Sequence, residues 1–200
     1  MKKGLLIAIE GIDGAGKTTL AKALKKWLEN IGVKAVIVKE PGNSVWGRKI
    51  RESYSKSLSV EEELRLFLKD REVNVREKIL PNLRENSVVI MDRYYYSNMA
   101  YQGARGIDIE KIRIENLKIA PEPDLVVLLD CDPEICLSRI EKRGSEKNRF
   151  EELEYLKKVR DMFLKIAENE KAKVKVVNAR RSVDEVFNDV KKLIEPILAN

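Results

Sequence analysis

Five short apolar runs, rich in β-branched residues, are spaced along this chain of 200 residues. Each run is almost continuous rather than alternating, which is typical of parallel strands that helices cover on both faces. The runs are Leu5–Ile9, Ala35–Val38, Val88–Met91, Leu125–Leu129 and Val174–Val177. They predict a five-stranded parallel sheet.

Helical signals separate these runs. A Ser-x-x-Glu capping box opens at Ser59 and again at Ser182, and Asp132-Pro133 is typical of an N-cap followed by a proline in the first helical turn. The first predicted helix ends at Gly32 and carries one apolar stripe, formed by Leu20, Leu24, Trp27, Leu28 and Ile31. Alternating strands and helices predict an α/β doubly wound fold, with one domain over residues 1–200.

Residues 11–18 form a glycine-rich loop that directly follows the first predicted strand and precedes the first predicted helix. Their sequence matches the G-x-x-x-x-G-K-[ST] pattern, in which backbone N–H groups and a helix N-terminus surround phosphate groups. Lys17 can reach the β- and γ-phosphates, and the Thr18 hydroxyl can bind Mg²⁺. The loop therefore predicts binding of a nucleoside triphosphate by Gly11, Ile12, Asp13, Gly14, Ala15, Gly16, Lys17 and Thr18.

The segment MDRYYYSNMAYQG, residues 91–103, follows the third apolar run and contains four of the six tyrosines and the only glutamine. Asp92 ends the third predicted strand beside the glycine-rich loop, where an acid can hold Mg²⁺ or the Thr18 hydroxyl. Arg93 then extends from the carboxyl edge of the sheet, where it can bind a second phosphate in a bidentate manner. The three consecutive tyrosines at 94–96 cannot all face one pocket, so we expect one or two of them to pack in the interior.

Composition narrows the possible chemistry. The chain contains no histidine, which excludes a Ser-His or Cys-His nucleophile and the usual zinc ligand sets. Its formal net charge of +6 suits either an anionic ligand or nucleic acid, and the interspersed charges disfavour a basic tail. No run approaches the roughly 20 apolar residues that cross a bilayer, and both cysteines are typical of small buried hydrophobes in a reducing cytosol. We therefore expect a cytoplasmic protein without a membrane partner.

Four motifs together resemble a known family. EGIDGAGKTT, EPG, DRYYYSNMAYQG and LDCDPE occur in the order and spacing seen in thymidylate kinases, a family of P-loop nucleoside monophosphate kinases, and the similarity covers essentially the whole chain. The resemblance implies a five-stranded P-loop kinase fold with a flexible lid, here about residues 141–152. It also implies Mg²⁺-dependent transfer of the γ-phosphoryl group of ATP to dTMP, giving dTDP and ADP in dTTP biosynthesis, and a homodimer.

The resemblance further implies roles for individual residues. Phe67 stacks on thymine, Arg71 hydrogen-bonds the base, Asp13 accepts a hydrogen bond from the 3′-hydroxyl and approaches the metal, and Tyr101 crowds the 2′ position. From the helical spacing alone, Arg71 shares an apolar face with Phe67, and an arginine whose head group reaches water is an equal alternative. The implied dTMP-binding residues are Asp13, Phe67, Arg71, Arg93, Asn98, Tyr101 and Gln102.

The family's lid arginines have counterparts in this chain. Arg139 is expected to lie against the adenine of ATP, and either Arg143 or Arg149 to bridge the donor and acceptor phosphates; pairing with nearby glutamates is the alternative for one of the three. The predicted metal-binding residues are Thr18 and Asp92. The predicted catalytic residues are Lys17, Asp13, Arg93, Arg149 and Arg143.

Two alternative functions remain open on the sequence. A deoxynucleoside kinase also uses a P-loop and an Asp-Arg pair, but it phosphorylates a 5′-hydroxyl and needs a carboxylate base, for which Glu40 is the candidate. A nucleic-acid-binding ATPase is suggested only by the pI of about 9.2. We predict small-molecule substrates, ATP and dTMP, and no nucleic acid partner, because two ligands with several negative charges each account for the positive charge.

Overall fold

A computed structural model describes residues 4–54, 58–142 and 149–199, and of residues 149–152 it describes only the backbone. The strands are β1 (Leu5–Glu10), β2 (Ala35–Lys39), β3 (Val88–Asp92), β4 (Leu125–Asp130) and β5 (Val174–Asn178). They form one parallel sheet in the order β2-β3-β1-β4-β5. The predicted five-stranded α/β fold is confirmed.

Each strand extends one residue beyond its predicted apolar run, and that last residue is polar in every case. Five polar side chains therefore stand at the carboxyl edge of an otherwise apolar sheet. Because ligands bind at this edge in open α/β folds, it is the expected place for the site. These residues are Glu10, Lys39, Asp92, Asp130 and Asn178.

The α-helices cover the sheet and supply the loops at its edge. The long segment from 60 to 84 is helical throughout, with a π-helical turn (Val75–Ile79) between two α-helices, and a short 3₁₀ turn (Gly103–Arg105) precedes the helix at 109. The α-helices are α1 (Lys17–Asn30), α2 (Val45–Ser53), α3 (Val60–Asn74), α4 (Leu80–Arg84), α5 (Tyr95–Tyr101), α6 (Ile109–Leu117), α7 (Pro133–Glu141), α8 (Arg149–Asn169) and α9 (Val183–Ala199).

The predicted helix starts are confirmed by their capping contacts. At α3, the Glu62 N–H donates to the Ser59 hydroxyl at 3.2 Å and the Ser59 N–H donates back to the Glu62 carboxylate at 3.0 Å. The same reciprocal pair joins Ser182 and Glu185 at α9, and the Asp132 carboxylate accepts from the Glu134 N–H at α7. Each contact satisfies backbone donors that a helix leaves unpaired at its start.

The sheet order determines which loops meet. β1 lies between β3 and β4, and its register pairs Ile9 with Asp92 of β3. The loop after β1 is therefore flanked by the end of β3 on one side and the end of β4 on the other. The central strand itself is fully buried from Leu6 to Glu10, which fixes the loop at the middle of the sheet edge.

Candidate active site

The loop between β1 and α1 is shaped by close packing against α7. Gly14 has φ +83°, and a Cβ at this position would lie 2.4 Å from the backbone oxygen of Cys136, so a larger residue does not fit. Gly16 is the N-cap of α1, which begins at Lys17. The loop thus presents backbone N–H groups at the positive end of α1, the arrangement that binds phosphate.

The Lys17 side chain is folded back over this loop. Its Nζ donates to the carbonyl oxygens of Gly11 at 2.9 Å and Ile12 at 2.8 Å, and only 7% of the residue is exposed. Burial, together with the nearby Arg93 charge, lowers the pKa of Lys17 from 10.5 to about 7. Phosphate groups at the loop would favour the charged ammonium, because they bring further negative charge next to a lysine that is now hydrogen-bonded to two carbonyl oxygens.

Thr18 and Asp92 provide two oxygen atoms side by side. The Thr18 hydroxyl donates to the Asp92 carboxylate at 2.5 Å, and Lys39 Nζ lies 4.0 Å from the same carboxylate oxygen. Mg²⁺ in kinase sites is held by one or two carboxylates together with substrate phosphates and water. A hydroxyl and a carboxylate next to a phosphate-binding loop fit that requirement.

A cavity of about 980 Å³ opens beside the loop, between α3, α5 and the start of α8. All seven residues that the resemblance assigned to dTMP line this cavity, although they come from three separate parts of the chain. They are Asp13, Phe67, Arg71, Arg93, Asn98, Tyr101 and Gln102.

Arg93 lies where the glycine-rich loop meets the cavity. Its Nη2 donates to the Asp13 carboxylate at 2.6 Å and to the Tyr101 hydroxyl at 3.3 Å, and that hydroxyl donates to Asp13 at 3.2 Å. The Arg93 guanidinium holds the pKa of Asp13 well below its usual range. Arg93 has φ +72°, a left-handed conformation that costs a non-glycine residue about 1–2 kcal/mol and that concentrates at functional sites.

Arg71 lines the cavity and is buried rather than reaching water, so the alternative of a solvated head group is wrong. Only 1% of Arg71 is exposed. Its Nε donates to both carboxylate oxygens of Glu40 at 3.2 and 3.0 Å, and its Nη2 also pairs with Glu40. Its Nη1 donates to Asn98 Oδ1 at 2.6 Å and to Asn116 Oδ1. Burial raises the pKa of Glu40, and the charge of Arg71 opposes that shift.

Polar contacts continue from Arg71 along the cavity wall. Asn98 Nδ2 donates to Gln102 Oε1 at 3.1 Å, Gln102 Nε2 donates to Glu63 at 3.4 Å, and Glu63 pairs with Arg105. The two predicted residues Asn98 and Gln102 are thus in direct contact. The wall joins α3 to α5 and the 3₁₀ turn.

The tyrosines at 94–96 divide as predicted. All three are at most 1% exposed, but only Tyr94 lines the cavity, and its hydroxyl donates to the Pro121 carbonyl at 2.9 Å. Tyr95 and Tyr96 stack on each other with ring centroids 4.6 Å apart, and the Tyr96 hydroxyl donates to Glu170 at 2.6 Å. Two of the three therefore pack in the interior.

Arg139 lies beside the loop of residues 11–16. Its Nη1 is 3.4 Å from the Gly14 carbonyl and its Nη2 is 3.2 Å from the Ala179 carbonyl, after β5. Arg143 lies outside the described residues, and Arg149 is described only as the first residue of α8. Their predicted role between the phosphates stays a prediction.

Several cavity residues were not foreseen. Ser97 is four residues after Arg93 and hydrogen-bonds it, a helical spacing that the sequence displays. Glu10 does not line the cavity, but its carboxylate binds Ser97, and a charged residue that ends an apolar strand is also visible in the sequence. Tyr155 and Tyr54 also line the cavity, and nothing in the sequence places these two distant tyrosines together.

The described residues contain no helix that is both long and apolar enough to cross a membrane.

The fold and the site together define a P-loop kinase of small molecules. The phosphate-binding loop follows the central strand of a parallel sheet, the Asp-Arg pair ends the neighbouring strand, and a polar cavity adjoins both.

The chain belongs to the thymidylate kinase family, whose sequence model, described as Thymidylate kinase, matches residues 9–190. It is 54% identical over 194 residues to a probable thymidylate kinase of Archaeoglobus fulgidus, covering 97% of this chain and 96% of that protein. It is also 42% identical to thymidylate kinases of Xylella fastidiosa strain M12 (98% and 88% covered) and Xanthomonas oryzae pv. oryzae strain PXO99A (98% and 86% covered). The predicted class, a nucleoside monophosphate kinase, is confirmed, and neither alternative function is favoured.

Proposed function

We propose that this chain transfers the γ-phosphoryl group of ATP to dTMP, giving dTDP and ADP for dTTP biosynthesis. The observation that carries the proposal is that one cavity beside the phosphate-binding loop is lined by all seven residues that match the family's dTMP contacts. Family membership over residues 9–190 supports the same reaction.

On the donor side, the backbone N–H groups of the glycine-rich loop and the Lys17 ammonium would hold the β- and γ-phosphates. Thr18 and Asp92 would hold Mg²⁺, which when bound neutralises charge on the transferring group. Arg139 contacts both the loop and the segment after β5, which supports its predicted place against adenine.

On the acceptor side, the dTMP phosphate would take the place of Asp13 on Arg93. The Asp13 carboxylate, once released, can accept a hydrogen bond from the 3′-hydroxyl. The Tyr101 ring stands beside this pair, with the Arg93 guanidinium 5.1 Å from its centroid, and would leave no room for a 2′-hydroxyl.

The base would lie between Phe67 and Arg71. Arg71 has five N–H groups, and its hydrogen bonds to Glu40, Asn98 and Asn116 use one on Nε, two on Nη1 and one on Nη2. Among the described residues, the remaining Nη2–H has no acceptor. It suits a single carbonyl oxygen of thymine and would meet a donor on cytosine.

The chemistry needs no general base. The attacking oxygen of dTMP is already ionised, so the enzyme's task is to position two anions and offset their charge. A deoxynucleoside kinase would instead need Glu40 free to accept a proton from a 5′-hydroxyl. Glu40 is 2% exposed and bound by Arg71, which argues against that role.

The remaining predictions belong to the same proposal. The enzyme would act as a single-domain protein in the cytoplasm, as a homodimer, with Mg²⁺-ATP as donor and no nucleic acid partner. The predicted lid of about residues 141–152 lies largely outside the described residues, and Arg143 or Arg149 would contact the transferring phosphoryl group.

A coupled assay against a panel of nucleosides and monophosphates tests this function. We expect kcat/KM for dTMP to exceed that for thymidine by roughly 10⁴-fold, because thymidine leaves Arg93 without its anion. Added DNA should leave ATP hydrolysis unchanged, and Lys17→Ala serves as the control for contaminating kinases. Preference for thymidine, or ATP hydrolysis stimulated by DNA, would refute the proposal.

A further inference from the structure

The carboxylate of Glu10 is fully buried beneath Arg93. Glu10 is the last residue of β1 and is 0% exposed. Its Oε1 accepts from the backbone N–H groups of Tyr94 at 2.8 Å and Ser97 at 3.3 Å, and its Oε2 accepts from the Ser97 hydroxyl at 2.6 Å. A carboxylate on the central strand therefore binds the turn that carries Arg93.

The same contacts hold the backbone of Arg93 in its left-handed conformation. The Arg93 N–H donates to the Ile9 carbonyl at 3.1 Å, and the next N–H, that of Tyr94, donates to Glu10. Both peptide groups around the strained residue are thus bound to β1. The strain at φ +72° persists because its neighbours are fixed on either side.

Ser97 connects the carboxylate to the guanidinium. Arg93 Nη1 donates to the Ser97 hydroxyl oxygen at 2.9 Å. Arginine has only donors, so the single hydroxyl hydrogen of Ser97 is directed to Glu10. The hydrogen bonds run in one direction, from Arg93 to Ser97 to Glu10, and they require an acceptor at the Oε2 position of residue 10.

We infer that Glu10 and Ser97 are positioning residues that fix Arg93 for the phosphate of the acceptor nucleotide. With Nη1 held by Ser97, the Nη2 group lies toward Asp13 and the cavity, where the phosphate of the proposed reaction must bind. This inference rests on the proposed function. It assigns a task to two buried side chains that were not among the predicted site residues.

The hydrogen bonds from Arg93 to Ser97 to Glu10 form a relay, which equilibrium binding of dTMP to four proteins tests. The four proteins are wild type, Ser97→Ala, Arg93→Ala and the double variant. If Ser97 acts through Arg93, Ser97→Ala weakens dTMP binding by about tenfold in the wild-type background and by less than about twofold when Arg93 is already alanine. The KM for ATP should stay within about twofold. Ser53→Ala is the matched control, because Ser53 is also 9% exposed and its hydroxyl donates to a backbone carbonyl, that of Ile50.

Glu10→Gln provides a second, independent variant. Glutamine keeps the shape of the side chain, but its amide can place a donor where the Ser97 hydroxyl needs an acceptor. We expect a similar loss of dTMP affinity, with no further loss when Ser97→Ala is added. Circular dichroism before binding identifies a variant that fails to fold, and the other variant then carries the test.

The possible results distinguish a failure of the relay from a failure of the proposed dTMP kinase function. Equal effects of Ser97→Ala with and without Arg93, or an effect no larger than that of Ser53→Ala, would overturn the relay while leaving dTMP turnover by the wild type intact. A wild-type protein that neither binds nor phosphorylates dTMP would overturn the proposed function and the relay together.

Discussion

Replacing Arg71 with methionine would remove a positive charge from the most buried polar cluster of the cavity. Arg71 and Glu40 are 1% and 2% exposed, and the guanidinium occupies both oxygens of the carboxylate. Breaking a buried pair from one side costs about 3–5 kcal/mol, because the remaining charge is left without compensation. For a domain of this size that corresponds to a fall in Tm of roughly 10 °C.

The pH dependence follows from the Glu40 pKa. Burial raises that pKa and the charge of Arg71 lowers it, so removing Arg71 lets it rise further. Protonation of Glu40 then relieves part of the cost of burying its charge, so the destabilisation by Arg71→Met should be smaller at pH 6 than at pH 8. Urea unfolding at both pH values measures this destabilisation. The double variant Arg71→Met with Glu40→Gln should recover most of the lost stability, since neither member of the pair then leaves an uncompensated charge.

Kinetic measurements distinguish the pairing of Arg71 with Glu40 from its proposed binding of thymine. The double variant should still show a raised KM for dTMP, because the N–H group proposed to bind thymine is absent. Arg76→Met is the control: Arg76 is 69% exposed, and its loss should change stability by no more than about 0.5 kcal/mol. If the single variant is as stable as this control, Arg71 and Glu40 do not form a stabilising buried pair, and if the double variant has normal dTMP kinetics, Arg71 does not bind the base.

Three further predictions concern the binding of the phosphoryl donor, the binding of the thymine base and the stability of the fold. Lys17→Ala should lower kcat/KM by about 10³-fold or more without loss of fold, measured by coupled assay and circular dichroism. Phe67→Ala should raise the KM for dTMP by roughly ten- to a hundredfold, the value of stacking on a base, whereas the half-buried Phe187→Ala should not. Burial raises the pKa of Glu10 from 4.5 to about 7, so its ionisation opposes folding. The stability of the wild type relative to Glu10→Gln should therefore fall by about 3 kcal/mol between pH 4.5 and 7 in urea unfolding, and stay level above.

Each of these has an outcome that would contradict it. Near-normal turnover by Lys17→Ala would show that Lys17 does not hold the donor phosphates. An unchanged KM in Phe67→Ala would show that thymine does not stack on Phe67. A stability difference for Glu10→Gln that is independent of pH would mean that Glu10 does not titrate in this range.

Sequence patterns located the sheet and the phosphate-binding loop because both depend on local composition. The strand ends were predicted one residue short, since each strand closes with a polar residue that an apolar run cannot include. Asp92 was correctly predicted beside the loop, and its bond to Thr18 follows from the parallel pairing of β1 with β3.

The buried contacts of Arg71 could not be predicted from the sequence alone. Its partners Glu40, Asn98 and Asn116 come from three other segments, and only their convergence decides between a buried and a solvated guanidinium. Glu10 and Ser97 are separated by 87 positions, so their contact likewise depends on the folded sheet.

A crystal structure with dTMP and a non-hydrolysable ATP analogue would show whether two anions meet between the glycine-rich loop and Arg93. We expect thymine on Phe67 with a carbonyl at Arg71, the dTMP phosphate on Arg93, and the γ-phosphate at Lys17. A pyrimidine bound away from both Phe67 and Arg71, or a dTMP phosphate out of contact with Arg93, would contradict this expectation.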